Sequence, residues 1–268
     1  MTPTRIIALY HFADLADYAG LREPLLALAR DGGVRGTLLL AAEGINGTIA
    51  GPAAGVQAVL DWLAAVPQLA GLAWKESWAD EQPFVRLRIR LKREIVTLGV
   101  PGVDPARGGA YVKPEDWNAL ISQPDVLVLD TRNHFEASIG SFAGAVDPGT
   151  VSFSQFPQYV RDHLDPERQP KVAMFCTGGI RCEKASAYLR QQGFAEVYQL
   201  EGGILNYLAS VPREESLWRG ECFVFDGRIS VDHDLRPGSY ELRRACGHPR
   251  PAGGEDGDSC PHCPPAGG

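Results

Sequence analysis

The sequence predicts a mixed α/β protein with more than one domain, and three observations support this. In the N-terminal part, predicted strands and helices follow in the order β-α-β-β-α-β. In the middle of the chain, short apolar strands alternate with helices, which is typical of a buried parallel sheet. The length of 268 residues and the hydrophobic content of 44% suffice for two ordinary domains.

The first predicted domain spans residues 1–99 and contains two helices, at 15–32 and 55–66. Its predicted strands are 6–12, 34–43, 48–51, 72–79 and 84–99. Between the second and third strands, GING at 44–47 predicts a turn, because glycine and asparagine tolerate positive φ. This order of elements predicts a ferredoxin-like sandwich with one extended last strand.

The rest of the chain divides into three segments. Residues 100–114 are rich in proline and glycine and predict a linker. Residues 115–212 predict an α/β domain with a parallel sheet, in which 126–130 and 171–176 are buried strands. Residues 213–268 predict a small irregular region whose end is either flexible or held by a metal.

Composition excludes several classes of protein. The 26 basic and 33 acidic residues give a net charge of −7, so nucleic-acid binding requires a local basic patch. The first residues have no apolar core of a signal peptide, and no apolar run reaches the ~18 residues of a membrane span. We therefore expect a cytoplasmic protein without membrane contact, whose six cysteines are catalytic, metal-binding or inert.

The segment FCTGGIRCEKAS, residues 175–186, carries the main chemical signal. Cys176 ends a buried strand, and a helix begins a few residues later, which is where open α/β sheets bind ligands. Backbone N–H groups and a helix N-terminus there stabilise an anion. The predicted anion-binding loop comprises Thr177, Gly178, Gly179, Ile180 and Arg181. We predict that Cys176 is a nucleophilic thiolate with a lowered pKa; the alternative is an inert core thiol.

This loop resembles that of the rhodanese family, in which four residues separate the cysteine from the arginine. Residues 127–146 resemble the family's D-x-R-x-x-x-E motif, and 199–207 resemble its closing strand and turn. The supporting residues implied by this motif are Asp130, Arg132 and Glu136. The resemblance covers about residues 115–212 and implies a persulfide on Cys176. Related cysteine phosphatases have five residues in this loop, and loop size determines which anion fits.

Cys182 lies six residues after Cys176, near the start of the predicted helix. It either resolves a persulfide or an oxidised form of Cys176, or is only a small helix residue near the site. Helical geometry alone does not bring the two sulfurs together. Another cysteine, Cys222, lies in an apolar strand and is predicted to belong to the core.

A strictly alternating segment, RLRIRLK at 86–92, predicts a strand with one basic face. That face consists of Arg86, Arg88, Arg90 and Lys92, which we call the basic stripe. Like charges at this spacing repel one another unless an anion is near, so the stripe predicts RNA binding. The alternative is a solvated surface that prevents edge aggregation. Trp74 and Trp78 could stack on bases, but we predict core positions for them.

EGINGT at 43–48 and LKREIVTLG at 91–99, followed by the rhodanese-like part and a cysteine-bearing tail, resemble one family over nearly the whole chain. This is the family of oxygen-dependent tRNA uridine hydroxylases with a rhodanese domain, which produce 5-hydroxyuridine at wobble position 34. The resemblance implies tRNA as substrate and molecular oxygen as co-substrate. No haem, flavin or nicotinamide motif is recognisable. The alternatives are a plain sulfurtransferase acting through a Cys176 persulfide and a noncatalytic RNA-binding scaffold.

The tail contains CPHC at 260–263, a spacing common in zinc knuckles. The family typically has a second Cys-x-x-Cys upstream, where this chain has Arg243 in place of the first cysteine. The remaining candidate ligands are Cys246, His248, Cys260 and Cys263. His262, inside the knuckle, is a poor candidate. The tail therefore predicts either a zinc site or an irregular segment with inert thiols.

Overall fold

The structure is a computed structural model that describes residues 3–254, 260, 261 and 263. The chain folds into two compact units. The first contains residues up to 97 together with 225–227, and the second contains 98–224 and the residues from 228 onward. The finer division into a linker at 100–114 and a separate C-terminal region at 213–268 stays a prediction.

The first unit is a five-stranded sheet with two helices packed on it. Its strands are β1 (Thr4–Phe12), β2 (Arg35–Ala41), β3 (Gly44–Gly51), β4 (Ala73–Ala79) and β5 (Leu87–Leu91), in the spatial order β4-β1-β3-β2-β5. All neighbours are antiparallel except β2 and β5. The helices are α1 (Arg22–Asp31) and α2 (Ala53–Ala64). Leu25 of α1 and Val59 of α2 belong to the buried core. On the sheet, that core includes Ile7, Leu38 and Ile49. The elements from β1 to β4 follow the order of the predicted ferredoxin-like sandwich, and β5 adds a fifth strand beside β2.

The predicted hairpin turn at 44–47 is wrong, because these residues belong to β3. Ala41 pairs with Gly44, so the turn consists of Ala42 and Glu43. Gly44 has a φ of 136°, and a Cβ there would collide with the carbonyl oxygen of His11 on the neighbouring strand. The glycine is therefore needed for close approach of two strands, which a local turn pattern does not distinguish from a tight turn.

The predicted strand at 84–99 is also wrong in length, since β5 ends at Leu91. One further backbone bond, from the N–H of Lys92 to the carbonyl oxygen of Leu40 at 2.8 Å, joins the chain to β2, and side chains hold the segment around Ile95. The N–H of Ile95 donates to Oε1 of Glu43 at 2.6 Å, and its carbonyl oxygen accepts from Nδ2 of Asn46 at 2.8 Å. The two motifs EGINGT and LKREIVTLG therefore meet at the backbone of Ile95.

The second unit is built on a parallel sheet with the order β6-β10-β9-β7. Its strands are β6 (Ala110–Val112), β7 (Val126–Asp130), β9 (Lys171–Phe175) and β10 (Glu196–Leu200). Its helices are α3 (Pro114–Ile121), α4 (His134–Ala137), α5 (Phe156–His163), α6 (Ile180–Gln191) and α7 (Gly203–Ser210). Trp117, Phe175 and Tyr207 belong to its buried core. The predicted α/β class with a parallel sheet is confirmed.

Short strand pairs complete the second unit. They are β8 (Gly140–Phe142) with β11 (Trp218–Gly220), β12 (Cys222–Phe223) with β13 (Ser230–Val231), and β14 (Tyr240–Leu242) with β15 (Pro249–Pro251). Cys222 is fully buried, as predicted for a core thiol.

Within the part of the chain that the structure describes, no helix is long and apolar enough to cross a membrane.

Candidate active site

The loop between β9 and α6 surrounds the sulfur of Cys176, a residue only 1% exposed. The N–H of Gly179 donates to its Sγ at 3.1 Å, with Gly179 at a φ of 106°. The carbonyl oxygens of Cys176 and Thr177 face the other way. They accept from the N–H groups of Ile204 at 2.9 Å and Leu205 at 3.1 Å, at the start of α7. The loop thus directs an N–H toward the sulfur and its carbonyls toward a helix N-terminus.

Gly203 allows α7 to approach the loop this closely. Its φ is 67°, and a Cβ on it would collide with the carbonyl oxygen of Cys176. The resemblance at 199–207 includes Gly203 in the closing turn of the rhodanese motif, but it does not indicate that Gly203 lies against the Cys176 carbonyl oxygen.

Burial alone opposes ionisation of the Cys176 thiol, but its neighbours outweigh burial. A hydrogen bond with the Cys182 side chain, the positive charge of Arg181 and backbone N–H groups at the start of α6 lower the pKa of Cys176 to about 5. These are the contributions expected for a reactive cysteine at a helix N-terminus. At neutral pH Cys176 is therefore a thiolate, the nucleophilic form.

Cys182 lies in contact with this thiolate and is fully buried. Burial, together with the hydrogen bond to Cys176, raises the pKa of Cys182 well above its usual value. Cys182 therefore keeps its proton and donates to Cys176. The Oγ1 of Thr131 lies 3.6 Å from the Cys182 sulfur and donates to the carbonyl oxygen of Phe175 at 3.0 Å. Thr131 is a site residue that the motifs do not indicate; the signal for it is a polar residue directly after β7, at the carboxyl edge of the sheet.

Arg181 forms a bidentate ion pair with Glu136. Its Nη1 and Nη2 donate to the two carboxylate oxygens at 2.6 and 2.7 Å, and both residues are buried. Burial would raise the pKa of Glu136, but Arg181 outweighs it and the pKa is lowered. Glu136 also accepts from the N–H of Asn133 at 3.0 Å, which forms the capping box of α4. The charge of Arg181 is therefore fixed in position beside the loop.

Asp130 and Arg132 form a second bidentate pair, with distances of 2.9 and 2.6 Å. Arg132 is fully buried, and it also donates to the carbonyl oxygen of Gly140 at 2.6 Å. Its guanidinium lies over the ring of Trp218, 5.3 Å from the ring centre. Ser141 donates to Asp130 at 2.9 Å. This pair therefore anchors the segment that leads into α4.

The other predicted loop residues differ in exposure. Thr177 is buried and donates to the carbonyl oxygen of Phe223 at 3.4 Å. Gly178 and Ile180 are partly exposed. A Cβ on Gly178 would meet no atom within 4 Å among the described residues, so the loop is open on this side.

The basic stripe lies in the first unit, on and beside β5 at one edge of its sheet. Its four side chains are exposed, whereas Ile89 between them is buried. The core positions predicted for Trp74 and Trp78 are wrong, because these rings are 42% and 49% exposed. Both lie on β4, the edge strand at the other side of the sheet from β5.

The tail brings its four candidate ligands together. The ligand atoms of Cys246, His248, Cys260 and Cys263 all lie within 4.8 Å of one another. Nδ1 of His248 lies 3.3 Å from the Cys260 sulfur and 3.6 Å from the Cys263 sulfur. Three thiols and one imidazole fit the ligand set of a structural zinc site. His262 lies outside the described residues.

Comparison with known families matches both parts of the chain. Residues 4–95 match the UPF0176 acylphosphatase like domain, and residues 113–210 match the Rhodanese-like domain. The crystal structure of a rhodanese-related protein from Thermoplasma volcanium is 25% identical and covers 38% of this chain and 95% of its own, with a TM-score of 0.30.

Two relatives match almost the whole chain. A tRNA uridine(34) hydroxylase from Agrobacterium fabrum is 58% identical over 265 residues, covering 96% of this chain and 84% of the relative. A tRNA uridine(34) hydroxylase from Acaryochloris marina is 53% identical over 266 residues, covering 96% of this chain and 85% of the relative. With both domains matched and this identity sustained over 96% of its length, the chain belongs to the tRNA uridine(34) hydroxylase family.

Proposed function

We propose that this protein hydroxylates carbon 5 of uridine 34 in tRNA, with molecular oxygen as co-substrate and Cys176 as the catalytic residue. The observation that carries the proposal is the buried Cys176 thiolate, whose sulfur accepts the Gly179 N–H at 3.1 Å. The 58% identity to a tRNA uridine(34) hydroxylase supports the substrate and the reaction. A tRNA substrate also supports a cytoplasmic location.

The thiolate provides a route to carbon 5. Addition of Cys176 to carbon 6 of uracil moves the electron pair of the C5–C6 double bond to carbon 5, which becomes nucleophilic. Molecular oxygen then reacts with two electrons and two protons from a thiol reductant and one further proton from solvent. One oxygen atom becomes the hydroxyl group on carbon 5, the other leaves as water, and the thiols become a disulfide. Loss of the proton on carbon 5 expels the thiolate and restores the double bond. The low pKa of Cys176 favours both its attack and its departure.

We propose that the basic stripe contacts tRNA phosphates. Its four exposed cations lie on and directly beside the edge strand β5, in a protein whose net charge is −7. Cation–phosphate contacts contribute most of the sequence-independent affinity for nucleic acids. The stripe would therefore bind the tRNA backbone without selecting its sequence.

We also propose that the tail cluster binds zinc. Three cysteines and one histidine are a common structural zinc set, and their ligand atoms already lie within 4.8 Å of one another. Bound zinc would supply no step of the reaction; it would hold the ends of the tail together.

The direct test is a reaction of purified protein with tRNA from a strain that lacks the modification, under ¹⁸O₂ and with a reductant. We expect 5-hydroxyuridine that carries one ¹⁸O atom, and none with Cys176→Ser. Oxygen drawn from water would contradict the proposed co-substrate.

The second candidate is a sulfurtransferase, favoured by the N–H directed at the Cys176 sulfur, which would equally stabilise a persulfide. Thiocyanate formation from thiosulfate and cyanide, without 5-hydroxyuridine, would support it instead.

A further inference from the structure

One short helix, α4, lies between the candidate metal site and the active-site loop. The ring of Phe135 stacks on the ring of His248, with centres 4.9 Å apart and planes 23° apart. The next residue, Glu136, holds Arg181 through two hydrogen bonds. A metal ligand and the arginine of the loop are therefore connected through two adjacent residues.

A second contact joins Phe135 to the loop. Its ring packs edge-on against Phe223, with centres 5.2 Å apart. The carbonyl oxygen of Phe223 accepts from Oγ1 of Thr177 at 3.4 Å. Phe135 thus lies between the imidazole of the metal site and a residue that contacts the cysteine loop.

The helix α4 needs such support because it has only four residues. A single turn is not stable by itself, so its position depends on capping and packing. Its cap is the Glu136 carboxylate, which binds the N–H of Asn133 at 3.0 Å as well as Arg181. Any shift of α4 would therefore change the position of Arg181.

The position of His248 likewise depends on stabilisation from outside its own hairpin. His248 follows the turn between β14 and β15, two strands of three residues each. An isolated hairpin of this size is marginal in water, whereas a structural zinc ion contributes folding free energy directly. A bound metal would fix the imidazole of His248 and so the surface on which Phe135 stacks.

We infer that the metal site of the tail braces the active-site loop, with Phe135 as the positioning residue that connects His248 to Glu136 and Arg181. The inference rests on the proposed zinc site and on Cys176 as the reactive group of the proposed function. It does not depend on which reaction Cys176 catalyses.

The experiment uses full-length protein and measures two quantities, the zinc content and the pH dependence of Cys176 alkylation by iodoacetamide. Mass spectrometry of the Cys176 peptide separates this thiol from the tail cysteines. We compare wild type before and after zinc removal with Phe135→Leu and with the conservative variant Phe135→Tyr. The matched control is Tyr159→Leu, since Tyr159 stacks on His163 with centres 4.7 Å apart in the same unit.

We expect about one zinc per chain in wild type, and a midpoint of alkylation that rises by roughly one pH unit when zinc is removed, because Arg181 loses its place beside the thiolate. Phe135→Leu should give the same rise with zinc still bound, and zinc removal should then add little. Phe135→Tyr and Tyr159→Leu should keep the wild-type midpoint.

An unchanged midpoint in zinc-free protein and in folded Phe135→Leu would overturn the inference, as would purified wild type with well under one zinc per chain. Neither readout involves tRNA. A failure of the proposed hydroxylation therefore leaves this result intact. A failure of the brace by the metal site likewise leaves the proposed hydroxylation intact.

Discussion

Arg181 and Glu136 form a buried bidentate ion pair beside the Cys176 loop, with nitrogen–oxygen distances of 2.6 and 2.7 Å. Both terminal nitrogens of the loop arginine therefore point to a carboxylate of the same chain. A free phosphate in this loop would have to compete with Glu136 for them. The arrangement suits stabilisation of a sulfur-centred anion, and together with the four-residue loop it disfavours a phosphatase.

The first prediction concerns this pair. Glu136→Gln removes the carboxylate that pairs with the buried Arg181 guanidinium, while the Cys176 thiolate stays near it. We therefore expect a loss of about 3 kcal/mol in the free energy of unfolding, the lower end of the range for a broken buried pair. Urea denaturation measures it. The double variant Glu136→Gln/Arg181→Met should recover part of the loss, because it removes the buried charge that has lost its hydrogen-bonded partner. A single variant as stable as wild type would contradict the importance of the pair.

The second prediction concerns the pH dependence of Cys176. Its pKa is lowered to about 5, so the thiolate predominates above pH 5 and is lost as the pH falls through that value. Alkylation of Cys176 by iodoacetamide should therefore have its midpoint near pH 5, about 3.5 units below a free cysteine. A midpoint above pH 8 would show that the loop does not stabilise the thiolate.

The third prediction assigns Cys182 as the donor to this thiolate. Cys182→Ala removes the hydrogen bond and should raise the midpoint of Cys176 alkylation, whereas Cys182→Ser retains a donor and should raise it less. If Cys182 instead resolves oxidised Cys176, peroxide should yield an intramolecular disulfide detectable by mass spectrometry. An alkylation profile unaffected by Cys182→Ala would contradict the donor role.

The fourth prediction tests the basic stripe. Arg88→Gln/Arg90→Gln should weaken tRNA binding and reduce the slope of log K against log salt by roughly 1.5–2, because about two phosphate contacts are lost. A matched variant is Arg30→Gln/Arg107→Gln, two exposed arginines outside the stripe. Equal effects of the two double variants would indicate only a general response to charge.

The loop and the α/β class could be predicted because their signals are local. Cys176, the following glycines and Arg181 lie within six consecutive residues, directly after an apolar strand. The partner of Arg181 could not be predicted from spacing, because Glu136 lies 45 residues earlier and comes into contact only through the fold. Resemblance identified both residues as functional without pairing them.

The errors in the first unit have the same origin. Gly44 is required by a neighbouring strand, and beyond the early end of β5 the side chains of Glu43 and Asn46 bind the Ile95 backbone. A local sequence pattern predicts neither the strand that approaches Gly44 nor the side chains that bind Ile95. Core positions are predicted for Trp74 and Trp78 because large aromatic rings are usually buried. Whether a strand lies at a sheet edge, however, depends on the order of the strands.

The measurement that tests the central claim most directly is nucleoside mass spectrometry of tRNA from cells that lack this protein. The cells are complemented with wild type or with Cys176→Ala, in a strain where no other pathway supplies the modification. We predict that 5-hydroxyuridine and its derivatives disappear without the protein and return only with wild type. Unchanged tRNA in the deletion strain, or restoration by Cys176→Ala, would contradict the account.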